Sequence, residues 1–93
     1  MKVVWADHAL KRLSDISTYI ERDSPGRAVD FCNRLIDATE QLADHPFSGP
    51  LLPEDGTYRQ LIAEEYRIVY RVADKAAYVM TIIAPGMLYE QAL

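Results

Sequence analysis

Residues 66–73 read Tyr66-Arg67-Ile68-Val69-Tyr70-Arg71-Val72-Ala73, with Tyr66, Ile68, Tyr70 and Val72 alternating with Arg67, Val69 and Arg71. A period of two belongs to extended backbone, whose side chains point to opposite faces in turn, so the stretch predicts a strand with one face on a core. Tyr58 to Ile62 is a shorter strand candidate before it, and Ala77 to Ala84 a strongly apolar one after it. Asp74-Lys75 is a natural tight turn between the last two. Short connections favour an antiparallel meander, with the β-favouring run Lys2 to Trp5 added alongside.

Upstream the period changes. Ala9, Leu13, Ile16 and Ile20 recur at helical spacing behind Asp7, a capping residue, which predicts a helix over 7–22. Ser24-Pro25 reads as the start of a second helix, because a serine oxygen can accept from an orphan amide and proline already has a helical φ. Loss of Ser24 is then expected to cost about 1 kcal/mol. Ala28, Phe31, Cys32, Leu35, Ile36, Ala38 and Leu42 give that helix an apolar face broad enough to touch more than one neighbour. Asp44-His45-Pro46 ends it, since proline moves its predecessor out of helical geometry. Only Arg22 to Ser24 separates the two helices, so they form an antiparallel hairpin.

Residues 46–57, PFSGPLLPEDGT, hold three prolines and two glycines, which predicts an irregular crossover loop with no regular element. Met87 to Leu93 fits either a turn or two of helix or a frayed end. The expected fold class is α+β: an N-terminal helical hairpin packed on a small antiparallel sheet of three to four strands, in a single domain over 1–93.

Composition bounds the function. A chain of 93 residues buries only about 60 to 65% of its unfolded surface, enough for one core. The 49% apolar and 26% charged content is that of a folding chain rather than a disordered one. No window approaches the roughly 20 apolar residues of a membrane span, and the first residues lack the apolar centre of a signal peptide, so a cytoplasmic protein without a membrane partner is expected. Cys32 stands alone, which excludes an internal disulfide and leaves it as core filler.

A net charge of −4 argues against a general nucleic-acid binder. Residues 1–57 carry six basic and ten acidic side chains while residues 58–93 carry four of each, so an anion-facing surface belongs in the second half. His8 and His45 have no companion ligands, and neither a metal nor a cofactor is expected. Glu54-Asp55 and Glu64-Glu65 are adjacent carboxylates that repel and solvate rather than share a proton. Tyr66, Tyr70 and Tyr78 fall on sheet-face positions, which leaves Tyr58 and Tyr89 as contact candidates.

The order of these pieces is more informative than any one of them. Tyr19-Ile20, Ser24-Pro25, Ala28 and Phe31 are followed by Leu42, Pro46, Gly49, Pro53-Glu54, Tyr58-Arg59 and the Tyr66 to Arg71 strand. In this order the chain, from about Val3 to Gly86, resembles the ParE/RelE toxin superfamily of bacterial type II toxin–antitoxin modules. The resemblance implies a toxin neutralised by a cognate antitoxin, whose flexible segment wraps it. RelE-like members cleave messenger RNA on the ribosome; ParE-like members poison DNA gyrase without a conventional active site.

A ribonuclease needs a basic cluster to hold phosphate and a group to move the 2′-hydroxyl proton. Arg59 and Arg67 match two basic positions of the RelE-like branch. The next expected basic position is Leu61, those after the last strand are Met87 and Leu88, and Tyr89 falls too early to match the carboxy-terminal tyrosine. These departures favour the ParE-like branch: a gyrase-inhibiting toxin with no catalytic residues of its own. The alternatives are a RelE-like endoribonuclease using Arg59 and Arg67 on ribosome-bound mRNA, or a degenerate, non-toxic, antitoxin-binding member.

For target binding the expectation names Arg59, Arg67, Arg71 and Tyr89. Arg67 and Arg71, four apart on a strand, share a face at about 13 Å, which suits a broad surface better than one anion clamp; pairing with acids such as Glu64 or Glu65 is the plain structural reading. For antitoxin binding the expected contacts are Leu10, Leu13, Ile20, Phe31 and Leu35 on the hairpin, where an incoming segment can lay its apolar side chains.

Overall fold

The structure is a computed structural model that describes residues 1–93. Strand β1 (Lys2–Trp5) leads into helix α1 (Asp7–Asp23), helix α2 (Ala28–Glu40) and a 3-10 turn at Gln41–Ala43. Four strands follow: β2 (Leu51–Leu52), β3 (Asp55–Ala63), β4 (Tyr66–Ala73) and β5 (Ala76–Ile83). A last 3-10 turn spans Tyr89–Ala92.

The helices meet their sequence expectation with two local corrections. Ala6, not Asp7, is the residue before α1, and its carbonyl accepts from the Leu10 amide at 3.0 Å. Asp7 sits in the first turn, where its charge still favours the helix dipole. Ser24 does not cap α2. Its amide donates to Ile20 O and its carbonyl accepts from Arg27 N across Pro25-Gly26, with Gly26 at φ +86°. Proline followed by a left-handed glycine is the chemistry of a type II turn, so α2 starts only at Ala28.

The five strands run in the order β1-β5-β4-β3-β2. The sheet is mixed: β3, β4 and β5 form the expected antiparallel meander, whereas β1 pairs with β5 in parallel, from Lys2 with Ala76 to Trp5 with Val79. Only hairpin-linked strands are forced to be antiparallel; β1 is followed by two helices and returns to the sheet by a crossover, which permits the parallel sense. The loop expected to lack any regular element contributes β2 and the start of β3, joined through Pro53-Glu54. A two-residue edge strand tolerates flanking prolines because one of its sides needs no ladder partner. The β3–β4 turn is made by Glu64 and Glu65 at φ 53° and 70°, and Asp74 at φ 55° opens the next.

Helices cover one face only. Ala9, Leu35, Leu42, Leu61, Ile68, Tyr70, Ala77 and Val79 form the core between the hairpin and the sheet. On the opposite face Leu52, Val69, Ile83 and Ala92 make a smaller cluster, with Tyr58, Met87 and Tyr89 packed against it. The C-terminal turn thus folds across the uncovered face of the sheet. Thr81 Oγ1 donates to the Ala92 carbonyl, and His8 Nε2 lies 2.6 Å from that same oxygen. No helix is long and apolar enough to cross a membrane.

Candidate functional site

Register decides what the two retained arginines can do. Arg59 pairs with Tyr70, a core residue under the hairpin, so Arg59 leaves the sheet on the helix side. Arg67 pairs with Ile62 and stands an odd number of positions from Tyr70, so it leaves on the opposite side with Val69. The two do not converge.

Each is also occupied by the chain itself. Arg67 Nη1 and Nη2 donate to the two oxygens of Glu54 at 2.8 and 2.6 Å, and Nε donates to Gln60 Oε1 at 2.7 Å. This fork uses all three guanidinium nitrogens, and it holds the Glu54 carboxyl below the usual carboxylate range while raising the pKa of Arg67. The partner is Glu54 rather than Glu64 or Glu65; Glu64 instead pairs with Arg34 on α2. Arg59 Nη1 donates to Gly49 O at 2.8 Å, and its guanidinium lies 5.2 Å from the Phe47 ring centroid.

Among the four target-contact candidates, Arg67, Arg71 and Tyr89 therefore belong to one face and Arg59 to the other. Arg71 is exposed and without an ionic partner. Tyr89 is half-buried beside Tyr58, and its burial, with the nearby Asp55 carboxylate as a smaller cause, pushes its hydroxyl pKa up. Leu61 is in the core, Met87 is half-buried and Leu88 is exposed, so none of the three positions offers a phosphate ligand. Nor do three His, Cys, Asp or Glu side chains gather as metal ligands do.

The hairpin presents the other surface. A groove of about 340 Å³ runs between α1 and α2, lined among others by Leu10, Leu13, Val29 and Cys32. Leu10 is 49% exposed and Val29 70%. Ile20 and Phe31 are half-buried; the Phe31 ring meets Tyr66 edge-on at 5.2 Å. Leu35 is corrected: it has no exposed surface and belongs to the core, where no partner reaches it. Burial raises the Cys32 thiol pKa, as suits a packing residue.

Val29 escaped the sequence reading, although an aliphatic residue outside the Ala28, Phe31, Leu35 stripe is itself a sign of an exposed contact. Glu54 was read only as a solvated acid, because nothing local shows that a hairpin tip folds back to a strand.

A helical hairpin on one side of a five-stranded mixed sheet is a small α+β fold of the ParE/RelE kind. The family model described as "ParE toxin of type II toxin-antitoxin system, parDE" matches residues 3–89, and the chain belongs to that family. It is the toxin of a ParDE-type toxin–antitoxin system. The chain is 34% identical over 73 residues to a Sinorhizobium fredii protein named "Putative toxin Y4kP", covering 77% of this chain and 76% of the relative. In fold it is similar to a chain of the "Chromosomal ParDE TA system from P. aeruginosa", with a TM-score of 0.79, 21% identity, and 88% and 92% of the two chains covered.

Proposed function

We propose that this toxin acts by binding, not by cutting RNA: its target is DNA gyrase, and a cognate antitoxin neutralises it by seating on the hairpin, in the groove lined by Leu10, Leu13 and Val29. The observation that carries this reading is the internal use of both retained arginines. Arg67 is held by Glu54 and Gln60 through three hydrogen bonds, and Arg59 by Gly49 and Phe47 on the other face. A ribonuclease needs cationic donors preorganised around one phosphate, and here the two retained arginines stand on opposite faces of the sheet. Gyrase as target follows the ParE-like branch, and the exposed Arg71 with the rim of Tyr89 is the surface offered for it.

The test is a pair of assays on the purified protein. Gyrase supercoiling is expected to fall, with cleaved DNA complexes accumulating, while ribosome-bound message stays intact; co-expressed antitoxin is expected to restore growth. Message cleavage that disappears in Arg67→Ala would overturn the proposal.

A further inference from the structure

Arg12 breaks the apolar stripe of α1. It stands between Ala9 and Ile16, on the buried side of the helix, and its side chain keeps only 11% of its exposure. A guanidinium carries five N–H donors and a full charge, and burying it costs heavily unless acceptors surround it. The acceptors present are few. Nε donates to the Ile82 carbonyl at 3.0 Å, and Nη2 reaches the weakly accepting Met87 sulfur at 3.4 Å. The nearest carboxylate, Asp15, is 3.9 Å from Nη1, beyond hydrogen-bond reach, and is shared with Lys11 at 3.7 Å.

Arg12 lines a cleft of about 400 Å³ between α1 and the ends of β4 and β5. Ile16, Tyr66, Ala84 and Met87 make half of its lining, and Tyr19, which also lines it, is 64% exposed. The geometry points to a receptor for one carboxylate side chain on an apolar stem: Arg12 takes a glutamate of the antitoxin segment, with aliphatic neighbours resting on Ile16 and Met87. This rests on the antitoxin reading above and specifies its chemistry.

Charge and shape select that occupant. A single carboxylate accepts two parallel donors from the Nη groups, a pairing for which arginine is shaped. Asp15 at the edge of the cleft repels a dianionic phosphate more than a monoanion, and the largely apolar wall suits a peptide better than a nucleotide. The cleft and the Leu10 and Leu13 groove lie on opposite sides of α1, so a segment that occupies both must wrap around the helix.

Two blocked peptides, acetyl-Leu-Glu-Leu-Leu-amide and its Gln counterpart, test this by NMR titration of the full chain, with inorganic phosphate as a third probe. The Glu peptide is expected to bind at least about fivefold tighter than the Gln peptide, moving the Arg12 Nε–H and the Ile16 and Ala84 methyl signals. Arg12→Gln is expected to abolish that ratio, and Arg12→Lys, which keeps charge but not the fork, to reduce it. Equal affinities, signals moving elsewhere, or phosphate binding as tightly as the Glu peptide would overturn the site. Because the peptide comparison uses the unaltered protein, it decides even if an Arg12 variant fails to fold. Rescue of growth by the antitoxin is read separately, so equal peptide affinities beside intact rescue reject this cleft alone.

Discussion

Arg59 and Arg67 stand on neighbouring strands yet emerge on opposite faces of the same sheet, one held by the Gly49 carbonyl and the other by the Glu54 carboxylate. That separation turns the most suggestive residues of the sequence into structural ones. It also makes their contributions to stability measurable.

Glu54 has a folded-state pKa below its unfolded value, because Arg67 favours the charged carboxylate. Its stabilising contribution is fully present above the unfolded pKa of about 4.3 and is lost as pH falls through the lower folded value. Urea midpoints measured from pH 6 down to pH 3 are expected to drop in the native protein. Glu54→Gln is expected to start lower and flatten that part of the curve. The pair is partly exposed, at 27% and 34%, so added salt is expected to shrink the difference.

Gly49 is a keystone of the loop before β2. Its amide donates to the Tyr70 hydroxyl at 3.0 Å, and a Cβ there would lie 2.3 Å from the Gln60 carbonyl oxygen, which is backbone and cannot swing away. Gly49→Ala is expected to lose about 1–3 kcal/mol by overpacking. Tyr70→Phe, which orphans the buried amide without a clash, is expected to lose about 1–3 kcal/mol as well. Chemical denaturation of both variants and their double mutant checks the shared origin.

Leu35, fully buried, and Leu10, half-exposed, are expected to separate folding from recognition. Leu35→Ala empties a fully buried site and is expected to cost about 2–5 kcal/mol. Leu10→Ala, at a half-exposed site, is expected to leave the midpoint within about 0.5 kcal/mol while weakening antitoxin affinity. Denaturation and calorimetric titration on the same samples distinguish the two.

Ser24→Ala is expected to change stability by less than about 0.5 kcal/mol, not the 1 kcal/mol of a lost cap, because the Ser24 groups that hold the interhelical turn are its amide and carbonyl. A midpoint shift of cap size would restore a role to the hydroxyl.

What could be read from the sequence was local. The β4 strand has the bounds the alternation predicts, Asp74-Lys75 makes its turn, and the hairpin follows from apolar spacing and one short linker. The sense of β1 was not legible, since its partner lies at the far end of the sequence and no turn chemistry ties them. Leu51-Leu52 was hidden by flanking prolines that an edge strand accepts. Periodicity found the apolar side of α2 but not which of its residues is covered, and so Leu35 was read as a contact. Arg12, three positions after Ala9, was not singled out, although a charge beside the Ala9, Leu13, Ile16 stripe is the signal the cleft leaves in the sequence.

The parallel pairing of β1 with β5 has a temporal meaning. The first strand to leave the ribosome must stay unpaired until the last one is made, a wait on the order of seconds at ordinary synthesis rates. Until then the sheet has an open side and the C-terminal turn has no platform. The pairing that closes the sheet is therefore among the last contacts a newly made chain can form.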